Sequence, residues 1–430
     1  MIPSIQKNYA PALLGWIVWG LVANLYLIGF FQRVAPAVMV DELMREFDLG
    51  GAVLGNLSAA YFYSYALMQI PSGLLVDSIG PRRLSAMASV VAAIGIFVFS
   101  MATNLWMAYL GRLLIGASVA VAFVACMKLA GHWFPTNRFA TVTGVALLMG
   151  NLGGVLAGVP LAEAIVHFGW RPAMMVSGVV TLIGAFLIWK IVRDDPSDRG
   201  YETFSNAIVY ESEKLPPWET LRRVIRERDT WFLFFAGGLS SAPLLVFAGL
   251  WGIPYLTQIY GLERSQAALL TSTMLLAWAA GGPSLGAISD RMGRRKPAYL
   301  VANILAAALW CVFLFVNIPV AGLYFLFAAI GFTSGGLIVG FAFAREANHP
   351  KVAGTVGGVV NMSILGFAAI LQPLLGWILD RHWDGTISSG VPSYNAGAFF
   401  AAFLWLFVCT LLSIVAILPV RETFCRMKPL

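Results

Sequence analysis

Charge is what this chain lacks. Of its 430 residues only 11% are charged, against roughly 25% in an ordinary soluble domain, while 59% are hydrophobic and the mean hydropathy is +0.79. A domain folded in water cannot present so apolar a surface, so a soluble domain of any size is excluded. Cysteine is also sparse: Cys126, Cys311, Cys409 and Cys425 are scattered, with no C-x-x-C, and read as packing residues. The histidines His132, His167, His349 and His382 lie far apart, and no nucleophile, base and orienting group falls together with them. Neither an enzyme active site nor a cofactor or metal site is expected. The N-terminus carries one Lys before an apolar run too long for a signal peptide, without a small-residue cleavage site, so that run is expected to remain as a helix.

What is present is a series of apolar runs of about 20 residues, the length that crosses a hydrocarbon core of about 30 Å as a helix. Twelve can be placed, at 13–35, 54–76, 84–103, 106–128, 139–162, 172–192, 231–257, 266–288, 298–317, 320–344, 354–379 and 396–420. The expected fold is an all-α membrane protein of twelve transmembrane helices. The net charge of +7 raises nucleic acid as a partner, but its distribution argues for topology instead. With both termini cytoplasmic, 21 of the 28 Lys and Arg fall in cytoplasmic segments, four (Arg45, Arg171, Arg264 and Arg381) fall outside, and three lie within the helices. The expected location is a plasma membrane, the inner membrane of a bacterium, crossed many times. The lipid bilayer is the partner this implies, with no nucleic acid and a monomeric state.

The chain repeats itself. Gly73, Asp77, Gly80 and Arg82 follow a G-x3-D-x2-G-x-R spacing that returns 213 residues later as Gly286, Asp290, Gly293 and Arg295. Gly144 and Gly358 stand 214 residues apart in glycine-rich runs, an independent sign of duplication. Glycines such as Gly153-Gly154 and Gly357-Gly358 read as helix-packing sites. The expected organisation is a six-helix bundle over 1–192, a cytoplasmic linker over 193–230 with a short amphipathic helix, and a second six-helix bundle over 231–430. Two such bundles rocking about a midplane site are a physical solution to transport.

Few polar residues interrupt the runs, and these carry the functional reading. Arg33 ends the first run and shares a helical face with Tyr26, Gly29 and Phe30. A cation there needs a partner or a wet cavity, and an anion-binding role is favoured over simple snorkelling. Arg112 lies deep in the fourth run with Gly116 four residues on, and Lys128 closes that run. Trp251, Tyr255 and Gln258 fall at i, i+4 and i+7; Asn361 and Gln372 need partners inside lipid. Tyr61, Tyr63 and Tyr65 read as packing, Gln69 as a hydrogen-bonding neighbour of the charged loop, and 41–51 as a solvated connector. Arg345 and Glu346 read as a charge pair. No Asp or Glu lies well inside any run, since Glu163, Glu346 and Asp380 sit at ends; His167 is the residual titrating candidate.

The doubled loop, the R-x3-G of Arg112 and Gly116 and the glycine-rich fifth run resemble the major facilitator superfamily of secondary transporters, over the whole chain. The resemblance implies two pseudo-symmetric six-helix bundles and alternating access. It also implies a gating role for Asp77, Arg82, Arg83, Asp290, Arg294 and Arg295, with each loop Asp latching the cytoplasmic side against the other half in the outward-facing state. Ser78 departs from the family, which places a basic residue there as Arg291 does, so the first latch is expected to be the weaker. Phe31-Gln32-Arg33-Val34-Ala35-Pro36 is similar to the organic-anion and organophosphate branches, where Arg at this place binds a carboxylate or phosphate. The resemblance then suggests a substrate set of Arg33, Tyr26, Arg112, Lys128, Trp251, Tyr255 and Asn361, a small organic anion as cargo, and exchange or facilitated diffusion over carboxylate-based proton symport. A zwitterion carrier, a drug exporter and a non-transporting membrane receptor remain as alternatives.

Overall fold

A computed structural model describes residues 8–204, 217–349, 352–388 and 390–427. The first half forms α1 (Ala12–Val34), the short α2 (Val40–Phe47), α3 (Gly51–Ile79), α4 (Pro81–Ser100), α5 (Leu105–Val119), α6 (Ala122–Trp133), α7 (Phe139–Leu156), α8 (Val159–Phe168) and α9 (Trp170–Ile191). Beyond the linker, part of which (205–216) lies outside the described residues, come α10 (Pro217–Arg226), α11 (Arg228–Val246), α12 (Gly252–Tyr260), α13 (Arg264–Met292) and α14 (Lys296–Phe315). The second half continues with α15 (Val320–Ser334), α16 (Leu337–Ala347), α17 (Ala353–Arg381) and α18 (Ala396–Ile417). One two-residue hairpin, β1 (Ile387–Ser388) with β2 (Val391–Pro392), interrupts the helical architecture.

Eleven of the described helical segments are long and apolar enough to cross a membrane. The run at 54–76 becomes the 29-residue α3 but falls outside that set, because Asn56, Ser58, the tyrosines and Gln69 dilute its hydropathy. Several runs are broken where the sequence invites it. α7 gives way to α8 at Ala157–Gly158, α15 to α16 at Gly335–Gly336, and after Pro243 the seventh run opens into a π-turn over Phe247–Trp251.

Three long helices begin without a capping side chain of their own and borrow a distant carboxylate. Asp194 accepts from Arg82 N at 2.6 Å at the start of α4, where Gly80 takes φ of +89°, a value only glycine adopts freely. Glu422 accepts from Arg295 N and Lys296 N at 2.9 and 3.0 Å at the start of α14. Both acids follow the last long helix of their own half, so the repeat extends to how the loop helices are capped. The third case spans the halves: Asp380 accepts from Gly51 N at 2.7 Å and Ala52 N at 2.8 Å at the start of α3.

The halves meet most closely at the end away from the termini. There Gly51 and Gly55 lie against the backbone of Gly376 and Gln372, and Gly158 against Ser272. Arg264 of α13 pairs with Glu42 at 2.7 Å and Asp41 at 3.8 Å. The segment 41–51 is therefore not a bare solvated connector: Glu46 also pairs with Arg171 at 2.6 Å, and although partial burial opposes it, the Arg171 and Trp170 hydrogen bonds hold its carboxyl below the usual range. Toward the termini the halves part. Gly150, Gly153, Gly154 and Gly158 pack as the sequence suggests, but Gly354, Gly357 and Gly358 face open space.

Candidate functional site

Arg33 lies in the last turn of α1 and is 5% exposed, so its charge is removed from water. No carboxylate stands in to compensate. Among the described residues it makes no ion pair, and its Nε has no hydrogen-bond partner. Aromatic rings surround it instead: the guanidinium carbon is 4.1 Å from the centroid of Phe30, 5.4 Å from Tyr65, 5.8 Å from Tyr61 and 5.9 Å from Phe62. Each desolvated ring face attracts a cation by up to about 2 kcal/mol, so four rings together offset much of the several kcal/mol that burying a charge costs. The site is a buried positive charge faced by aromatic rings, with the Tyr61 and Tyr65 hydroxyls also directed at the guanidinium.

The helices fix this box by spacing. Phe30 precedes Arg33 by three residues on α1; Tyr61 and Tyr65 are one turn apart on α3. Tyr61 Oη donates to Gly29 O at 2.9 Å, which pins α3 to α1. Tyr26 packs on Phe30 and Phe123 with centroids 5.0 and 5.4 Å apart, and Gly150 gives both Tyr26 and Phe30 room against α7. Gln32, beside Arg33 in sequence, points elsewhere: its Nε2 donates to Ser177 Oγ at 3.1 Å.

The other residues suggested by the sequence do not converge on Arg33. Arg112 is 1% exposed and already engaged, its Nη atoms donating to Gln32 O at 2.7 Å and Ser58 O at 3.1 Å, so it braces α1 against α3 from behind Tyr61. Lys128 sits at the terminal end, its Nζ donating to Asp77 Oδ1 at 2.9 Å and Val76 O at 3.0 Å. Trp251 is fully buried and donates to Gln372 O at 3.1 Å. Tyr255 belongs to an aromatic cluster with Phe247, Phe313, Phe399 and Phe403. Asn361 donates to Gln69 Oε1 at 2.8 Å across the two halves, one turn of α3 beyond Tyr65. Gln69 thus serves the seam between the halves and not the charged loop.

The loop residues pair within their own halves. Arg82 donates to Trp189 O at 2.8 and 3.2 Å and stacks on that indole; Arg83 is exposed. Asp290 meets Arg295 at 2.6 Å, and Arg295 also meets Glu346 at 2.9 Å, so Glu346 pairs with Arg295 and not with Arg345. Partial burial opposes the Arg295 charge, yet the two carboxylates outweigh it and raise its affinity for the proton. Arg294 lies near the ring of Phe424. The second loop is in this way more heavily braced than the first, where Asp77 has Lys128.

Two pseudo-symmetric halves of membrane-crossing helices, parted at one end and joined at the other around a buried cation, define the class. The chain belongs to the Major Facilitator Superfamily, whose family model matches residues 22–368. It is 25% identical over 426 residues to a probable sulfoacetate transporter of Cupriavidus necator, covering 93% of this chain and 94% of that protein. It is 26% identical to a membrane sensor protein of Escherichia coli, covering 84% and 85%, and 25% identical to a probable hexose phosphate transport protein of Chlamydia trachomatis, covering 92% and 88%. In fold it is similar to a bacterial homologue of the human lysosomal transporter Spinster, with a TM-score of 0.77 at 18% identity, covering 98% of this chain and all of that one.

Proposed function

We propose that this protein carries a small organic anion of carboxylate, sulfonate or phosphate type across the membrane by alternating access. The observation that carries the reading is Arg33: a buried guanidinium with no counter-carboxylate, an unpartnered Nε and four aromatic neighbours. An anion entering that box supplies the missing charge and takes bidentate hydrogen bonds from the guanidinium. Relatives whose names specify sulfoacetate and hexose phosphate support the same chemical class.

In the cycle, the seam from Asp380 to Asn361 opens while the terminal ends of the two halves close, bringing Asp77 and Asp290 against the opposite half. With the basic segments cytoplasmic, the present arrangement is parted toward the cytoplasm. Exchange or facilitated diffusion suits a site that has no acid beside Arg33 to carry a coupling proton. Counterflow into proteoliposomes tests the reading: small carboxylates, sulfonates and phosphates should accelerate exchange and their neutral amides or esters should not. Equal exchange of acids and amides would overturn it. The sensor among the relatives favours one alternative, a receptor that binds an anion without moving it, and saturable binding with no counterflow would identify that case.

A further inference from the structure

We propose that the seam between α4 and α9 binds one anionic glycerophospholipid, an acyl chain lying in an apolar groove and the phosphate held between Arg83 and Lys190. The groove is open to the lipid side and has a volume of about 690 Å³ on the outside of the first half. Its floor is made by small buried residues, Ala86 and Ala185, and its walls by large exposed ones, notably Met87 and Val90 on α4 and Leu182 and Phe186 on α9. A membrane protein exposes apolar side chains all round; the concavity sets this stretch apart.

The polar end supplies the charge. Arg83 precedes Met87 by one turn and Lys190 follows Phe186 by one turn, so each wall runs into a cation on its own face. The contact of Arg82 with Trp189 O joins the ends of the two helices, so Arg83 and Lys190, each next in sequence to one of those partners, stand at the same end of the groove. Both are exposed, and neither side chain has a hydrogen-bonding or ion-pairing partner among the described residues; Lys190 Nζ lies 5.8 Å from the Phe186 ring. The nearby acids are committed, Asp194 to Arg82 N and Asp195 to His132 at 2.7 Å. Two free cations over an apolar trough complement a lipid with net negative charge, whereas a zwitterionic headgroup brings its own cation. Because Arg82 makes the contacts with Trp189 and Asp194, a bound lipid would also steady the turn that follows Asp77.

The test is native mass spectrometry of the purified full-length protein titrated with phosphatidylglycerol or phosphatidylcholine. One phosphatidylglycerol should be retained at a concentration at least several-fold below that needed for phosphatidylcholine. The preference should vanish in R83Q/K190Q, and retention of either lipid at this site should fall in Ala185→Trp, which fills the trough. Gel filtration and circular dichroism establish that each variant is folded, and Lys190→Gln alone, on an exposed side chain, should weaken the preference if the double variant misfolds. Equal retention of the two lipids by the unaltered protein, or a preference unchanged in folded variants, would overturn the proposal. The outcome does not depend on what the protein carries.

Discussion

Replacing Asp380 by alanine should open the end of the molecule away from the termini. Its carboxylate accepts from Gly51 N at 2.7 Å, Ala52 N at 2.8 Å and Tyr394 Oη at 2.6 Å, and Gly50 ahead of α3 has no side chain to substitute for it. An N-cap contributes about 1 kcal/mol and charge-assisted hydrogen bonds about 1.5–3 kcal/mol each, but these overlap and the site is only half-buried. A total of about 2–4 kcal/mol follows, and since 1.4 kcal/mol is about tenfold, the ratio of closed to open should fall roughly 30- to 700-fold. Asparagine, which keeps an acceptor without charge, should fall between. Spin labels at Phe168 and Ile387, exposed residues at that end in opposite halves, report the separation by pulsed dipolar spectroscopy, with Cys311 and Cys425 replaced by serine. A distance distribution in Asp380→Ala identical to that of the parent would refute the argument that this cap holds the seam.

The hydrogen bond between Asn361 and Gln69 should show a coupling of about 0.5–1.5 kcal/mol in a double-mutant cycle of Asn361→Leu and Gln69→Leu, read by thermal unfolding. Gly153→Ala should cost about 2 kcal/mol or more of stability, because its new methyl would meet Leu27 O, whereas Gly357→Ala, facing open space, should leave melting unchanged. Partial burial disfavours ionised Asp195, but the His132 and Ser197 hydrogen bonds outweigh it and lower its pKa. That stabilisation is present above the ordinary Asp value of about 3.9 and is lost as pH falls through the lowered one, so His132→Ala should destabilise at neutral pH with a deficit that shrinks toward pH 3.

The fold was legible because its signals are local. Apolar run length gave the helices, the recurrence of Asp77 as Asp290 gave the halves, and Arg33 stood out as a cation where lipid leaves no water. The rest of the site was not legible because it depends on which distant helix faces which. Tyr61 and Tyr65 look like packing until α3 is laid against α1, and Gln69 meets Asn361 292 residues away. Asp380 reads from the sequence only as an acid at the end of a run, and its role appears once α3 of the other half is seen to start on it. The spacing of Trp251, Tyr255 and Gln258 does place them along one helix, but their partners lie within the second half: Trp251 donates to Gln372 O, Tyr255 joins the rings of Phe313, Phe399 and Phe403, and Gln258 accepts from Tyr394 N. Gly357 and Gly358 carry the packing signature of Gly153 and Gly154, but sequence does not say at which end the halves part.

The central claim is that Arg33 is the anion's partner, and counterflow with Arg33→Gln measures it most directly. The neutral side chain should abolish exchange of every anion that the unaltered protein moves while the protein still folds, since relief from burying a charge and loss of its ring contacts oppose each other. Undiminished anion counterflow by folded Arg33→Gln would contradict the account.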